Sequence, residues 1–277
     1  MTKIEDIREI MRKLRDPENG CPWDLEQTFK SIVPHTIEEA YEVADCIERE
    51  DLASLPVELG DLLFQVVFYA QLGNEQKLFD FEDIVAALAR KLTERHPHVL
   101  GDVPPGDRDD QARRWESHKA HERALASTGR VVSELDGVPV GLPALSRANK
   151  LQKRAARVGF DWPNSDGVRH KVMEEFKEVE VAVKADSKLQ IEEEMGDLLF
   201  ACVNWARHLG LEPESTLRAA TRKFQRRFNF IERALIDAGT NVAEASLETM
   251  DELWDAAKIA ERRQSAERGK KKVYKHP

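Results

Sequence analysis

Glu58-Leu59-Gly60-Asp61-Leu62-Leu63-Phe64 returns, with Met in place of the first Leu, as Glu194-Met195-Gly196-Asp197-Leu198-Leu199-Phe200. In each copy two carboxylates three residues apart share one helix face, and an apolar run follows. A second acidic pair precedes each copy: Glu39 and Glu42 in the first half, Glu175 and Glu178 in the second. All four pairs of matching carboxylates are separated by the same 136 positions. In a chain that is 34% charged, one acidic pair says little, but a repeat at a single offset defines the architecture.

Working outward, the spacing of apolar residues predicts helices at about 3–14, 36–49, 55–72, 80–95 and 109–125 in the first half. The second half repeats the plan at about 144–157, 166–185, 188–209, 214–236 and 249–265. Thr36, with Glu39 three residues on, has the pattern of a helix N-cap, and Gly73 marks the end of the following helix. The chain is therefore read as all-α, built as two tandem, sequence-related helical bundles. They cover 1–125 and 144–266, with a linker at 126–143 rich in turn residues and a disordered basic tail at 267–277.

The 277 residues suit two domains of ordinary size, and the hydrophobic share of 41% suffices for a core in each. A formal net charge of −9 argues against a dedicated nucleic-acid binder. The three cysteines form no CxxC pair, the N-terminus is charged from the start, and no uninterrupted apolar run has the length of a membrane span. A cytoplasmic protein with reduced thiols is expected. The run from Leu62 to Ala70 is apolar on more than one side, which predicts a homodimer.

A short connection between the second and third helices of each half makes them antiparallel neighbours. Glu39 and Glu42 then face Glu58 and Asp61, and Glu175 and Glu178 face Glu194 and Asp197. Four mutually repelling carboxylates either take up protons or hold a cation, and an oxygen-only donor set suits Mg²⁺, with Mn²⁺ as substitute. A di-iron site would need Glu-x-x-His pairs, and no histidine here has a glutamate three residues before it. Lys91 and Arg95, repeated at an offset of 132 as Lys223 and Arg227, could grip phosphate oxygens, or could simply form a solvated helix face. Trp115 and Trp254, related by an offset of 139, read on their own as core anchors, and so does Trp205.

The acidic motifs, with Cys21-Pro22-Trp23-Asp24 and Arg95-His96-Pro97-His98, resemble the MazG family of nucleoside triphosphate pyrophosphohydrolases in its two-domain form. The resemblance implies helical bundles that pair tightly with another copy, and Mg²⁺-dependent hydrolysis of a nucleoside triphosphate to the monophosphate and pyrophosphate. It makes Glu39, Glu42, Glu58 and Asp61 metal ligands in the first domain, and Glu175, Glu178, Glu194 and Asp197 ligands and catalytic residues in the second. It places Lys223 and Arg227 on phosphates and Trp254 near the nucleotide. Lys171 and Arg226 join this set because their counterparts in the first domain, His35 and Glu94, are not cations. The second domain is accordingly expected to carry most of the activity. A nucleotide-binding regulator or scaffold with little turnover is the alternative.

Overall fold

A computed structural model describes residues 3–101, 107, 110 and 133–273, with side chains described as far as 263 in the last helix. The chain divides into two compact units, Met1–Thr128 and Gly129–Pro277. Among the described residues all regular structure is helical. Apart from residue 110, the helix expected at about 109–125, with Trp115, lies outside the described residues.

The first unit contains α1 (Ile4–Leu14), α2 (Pro22–Glu26), α3 (Phe29–Glu48), α4 (Leu55–Glu75), α5 (Phe81–Arg95) and the short α6 (Pro97–Leu100). Helix α4 is the centre, packed by α1, α3 and α5. Its buried face brings Val67, Phe68 and Leu72 against Met11 of α1 and Ile32 of α3, with Phe29, Phe64, Tyr69 and Phe81 around them. By length and composition α4 could cross a membrane. Val67, Phe68, Ala70 and Leu72 of this helix are buried in the core, whereas Val57, Leu59 and Leu63, near Glu58 and Asp61 at its N-terminal end, are exposed.

Two boundaries differ from the sequence reading. Helix α3 begins at Phe29, where the Thr28 hydroxyl accepts from the Ser31 amide at 3.2 Å and the Ser31 hydroxyl accepts from the Thr28 amide at 2.8 Å. The helix continues through Pro34, so Thr36 is interior: its hydroxyl bonds the Ile32 carbonyl at 3.1 Å and meets the Tyr69 hydroxyl at 2.9 Å. Pro34 costs α3 one backbone bond, yet the helix starts at the two-sided cap at Thr28 and runs on through it. Helix α4 likewise runs past Gly73 to Glu75. That glycine is there for packing, since a Cβ at this position would sit 2.6 Å from the Phe79 ring.

The second unit contains α7 (Ala144–Arg157), α8 (Ser165–Lys184), α9 (Lys188–His208), α10 (Pro213–Asp237) and α11 (Leu247–Val273). Helices α8 and α9 form the hairpin equivalent to α3 and α4, α7 packs on α9 and α10, and α11 lies along α10. Helix α11 extends into the stretch read as a basic tail, ending at Val273 rather than near residue 265. Its Ala, Glu, Arg and Lys residues are strong helix formers, which favours continuation over fraying. Trp205 is only half-buried.

The repeat extends to the backbone. The two hairpins turn through Glu50 at φ 58° and Asp186 at φ 51°, again 136 positions apart. In both, the amide after the left-handed residue bonds back into the preceding helix: Asp51 to the Cys46 carbonyl at 2.9 Å, Ser187 to that of Ala182 at 3.4 Å. This ending satisfies carbonyls that the helix terminus would otherwise leave open. It also reverses the chain within a few residues, so the acidic faces of the paired helices must confront each other.

The segments 21–24 and 159–163, with Trp23 and Trp162, form two tryptophan loops, and each is tied down by an arginine. Arg15 bonds Glu75 of α4 at 2.8 and 2.6 Å and also reaches the Asp24 carbonyl. In the second unit Asp161 receives Arg207 and, at 2.9 Å, the His208 ring, both from the end of α9. Burial alone would raise the Asp161 carboxyl, but the hydrogen bonds from Arg207 and His208 outweigh it and hold its pKa at about 2. A depressed carboxyl stabilises the fold above its unfolded pKa of 3.8, and that stabilisation is lost as pH falls from there through about 2. Asp161→Asn should therefore cost roughly 1–2 kcal/mol at neutral pH and little at pH ~2. Thermal melts of both proteins across that range test this, and a deficit of the same size at every pH would contradict it.

Candidate metal and phosphate site

The hairpins bring the predicted carboxylates together. Oxygens of Glu39 and Glu42 on α3 and Glu58 on α4 all lie within 4.8 Å of one another. In the second unit a different triple of the four comes together by the same measure: Glu175 on α8 with Glu194 and Asp197 on α9. The fourth member of each group stands beside the triple. The negative charge of Asp61 acts on both Glu39 and Glu58, and Glu175 acts on Glu178.

Burial and mutual repulsion act together on these carboxyls. Burial, then the charges of Glu42 and Asp61, push the Glu39 carboxyl above its ordinary value, and Glu58 is raised by the same causes. The hydrogen bond with Glu175 raises Glu178, with burial and the Glu175 and Glu194 charges adding to it. These groups are strained by one another's charge, and a bound divalent cation relieves that directly. The donor set contains only carboxylate oxygens, which fits a hard cation.

The two clusters differ in their surroundings. The Lys171 ammonium lies 2.7 Å from Glu174 and 2.8 Å from Glu175, and these hydrogen bonds hold it well above the usual lysine range. Glu175 is the most buried of the eight carboxylates, at 5% exposure, so its charge needs a partner most. Position 35 has instead a histidine, 3.9 Å from Glu38 and edge-on to the Trp23 ring.

The other predicted contacts gather where α10 meets α11. Arg227 stands over the Trp254 ring at 5.2 Å, and Phe224 packs on the same tryptophan at 5.4 Å. Lys223 is exposed on α10. Among the described residues no hydrogen bond or ion pair links this group to the carboxylates of α8 and α9. In the first unit Lys91 and Arg95 lie one turn apart on α5, while Trp115 lies outside the described residues. One residue of this region was not singled out in the sequence. Glu261 of α11 accepts from the Arg227 Nε at 2.9 Å, and the only sequence signal for it is the offset of 139 that carries it onto Glu122.

Fold and site together define a class: a two-unit, all-helical protein with a carboxylate cluster, suited to a divalent cation, inside a helical hairpin of each unit. The model of the MazG nucleotide pyrophosphohydrolase domain matches the chain twice, at residues 27–100 and 164–230. An Escherichia coli K12 protein named nucleoside triphosphate pyrophosphohydrolase is 51% identical, over 94% of this chain and 99% of its own length. A Thermotoga maritima protein named nucleoside triphosphate pyrophosphohydrolase/pyrophosphatase MazG is 42% identical, over 92% of this chain and 95% of its own. The Bacillus subtilis protein YabN is 44% identical over 94% of this chain, which spans 53% of that relative. The chain belongs to the MazG nucleotide pyrophosphohydrolase family.

Proposed function

We propose that the protein hydrolyses nucleoside triphosphates to the monophosphate and pyrophosphate, with Mg²⁺ or Mn²⁺ as cofactor and with the second unit doing most of the work. The observation that carries this reading is the repeated cluster, in which facing helices hold carboxylates close enough to repel. Such an arrangement is costly unless it binds a cation. The names of the Escherichia coli and Thermotoga maritima relatives support the substrate class.

Glu175, Glu178, Glu194 and Asp197 would hold the cation, as would Glu39, Glu42, Glu58 and Asp61 in the first unit. When bound, it would neutralise triphosphate charge and lower the pKa of a coordinated water. Water attacks the α-phosphorus, a carboxylate of the cluster takes its proton, and the bond to the β-phosphate oxygen breaks with its electrons staying on pyrophosphate. Lys223, Arg226 and Arg227 offer charge-assisted hydrogen bonds to that leaving group, and Trp254 offers a flat apolar surface to the nucleoside. Lys171, 2.7 Å from Glu174 and 2.8 Å from Glu175, places a positive charge beside the buried carboxylate. Exposed apolar residues on the hairpin of the second unit, among them Phe176, Leu199 and Phe200, give a second copy a surface on which to pair.

The test is a product assay over ribo- and deoxyribonucleoside triphosphates, with Mg²⁺ and then with a chelator. Equal amounts of monophosphate and pyrophosphate, no orthophosphate, and loss of turnover on chelation are expected. Tight nucleotide binding without products would favour the regulator or scaffold reading instead.

A further inference from the structure

Arg226 and Arg227 are neighbours on α10, and both turn the Nε edge of the guanidinium toward one carboxylate of α11. Arg227 Nε donates to Glu261 Oε2 at 2.9 Å, and Arg226 Nε lies 3.5 Å from Glu261 Oε1. The Oε1 atom is shut off from solvent and makes no hydrogen bond among the described residues, and the Arg226 Nε lies 3.5 Å from it. Trp254, seven residues before Glu261 on the same helix, supports the Arg227 plane at 5.2 Å. Arg227 is 17% exposed and Glu261 29%, so the pair is partly desolvated and its geometry is restricted.

A guanidinium has five N–H donors, one on Nε and four on the Nη groups. Bonding through Nε spends one donor and fixes the plane, while the Nη fork remains available for a phosphate. Among the described residues the Nη groups of Arg226 and Arg227 carry no hydrogen bond. A bidentate contact to both Nη groups would instead occupy the fork.

We propose that Glu261 is a positioning residue for the triphosphate: it holds Arg227, and more loosely Arg226, by their Nε edges so that both Nη forks meet the pyrophosphate portion of the substrate. This rests on the hydrolytic reading above. Glu261 itself touches no substrate. Its contribution is orientation made in advance, which lowers the cost of ordering two long side chains when the anion arrives.

The experiment compares Glu261→Ala and Glu261→Gln with the unaltered full chain. Glutamine keeps a carbonyl that accepts from Arg227 Nε, whereas alanine removes the acceptor. For Glu261→Ala the KM for nucleoside triphosphate and the inhibition constant of pyrophosphate should rise together, by about tenfold, with kcat changed less. Inhibition by nucleoside monophosphate, which lacks the pyrophosphate portion, should stay within about twofold. Glu261→Gln should recover most of the loss. In an Arg227→Ala background, Glu261→Ala should add less than it does alone, because its main partner is gone. An unchanged pyrophosphate constant in Glu261→Ala, equal weakening of monophosphate and pyrophosphate, or full additivity with Arg227→Ala would each overturn the proposal. Direct calorimetric binding of pyrophosphate with Mg²⁺ reads the same effect without turnover. A wild-type protein that hydrolyses no triphosphate would therefore refute the hydrolytic reading separately from the role of Glu261.

Discussion

Alanine at both Glu194 and Asp197 is expected to lower pyrophosphate release by at least about 10²-fold, while alanine at both Glu58 and Asp61 leaves most of it. Each double change removes two carboxylates from a hairpin, and each leaves the apolar face of the helix untouched. The difference lies in what surrounds the clusters. In the second unit Lys171 contacts the buried Glu175, and Arg226 and Arg227 stand together on α10. The matching positions in the first unit hold His35 and Glu94. A charge-assisted hydrogen bond contributes roughly 1.5–3 kcal/mol when it is made, so one or two fewer amount to about tenfold to several-hundredfold. Lys171 and the arginines are partly neutralised by Glu174, Glu175 and Glu261 before substrate arrives, which places the expected difference toward the lower end. Retained activity in Glu194→Ala/Asp197→Ala, with loss in Glu58→Ala/Asp61→Ala, would reverse the assignment of the units.

The largest effect on stability should come from Phe68→Ala. Phe68 is fully buried at 0% exposure, packs with Met11, Ile32, Val67 and Leu72, and meets the Phe64 ring edge-on at 5.9 Å. The Arg15 guanidinium lies 5.5 Å from the same ring, which couples the core to the arginine that ties down the tryptophan loop. Truncating such a residue costs about 3–5 kcal/mol, from lost transfer energy and the cavity left behind. That is a large share of the ~5–15 kcal/mol that holds an ordinary domain together. The first unit should therefore unfold at markedly lower urea concentration, and Phe68→Leu should recover much of the loss. Because the main hydrolytic site is assigned to the second unit, pyrophosphate release should fall far less than first-unit stability. A denaturation midpoint within error of wild type would contradict the central place given to α4.

The fold class, the repeat and the eight carboxylates are legible in the sequence, because an acidic pair leading into an apolar run is conspicuous and recurs at one offset. What escaped depends on contacts between elements. The Thr36–Glu39 pattern places the start of α3 late, since it has the look of a cap locally, while the Thr28–Ser31 cap that actually starts the helix lies about two turns earlier. Gly73 looked like a helix end because its role, making room for Phe79, depends on a residue beyond the helix. Trp205 sits on an apolar face yet is half-buried, since the face of α9 is wider than the packing that α7, α8 and α10 supply. Glu261 is one acid among many on a charged helix, and only the position of Arg227 on a neighbouring helix gives it meaning.

The most direct test of the account is to run the reaction in water enriched in heavy oxygen and to weigh the products by mass spectrometry. Attack at the α-phosphorus puts one heavy oxygen into the nucleoside monophosphate and none into pyrophosphate, and that pattern should disappear with the turnover when Glu194 and Asp197 are replaced. Heavy oxygen in pyrophosphate or in orthophosphate, or the same labelled products at the same rate from the Glu194→Ala/Asp197→Ala protein, would contradict it.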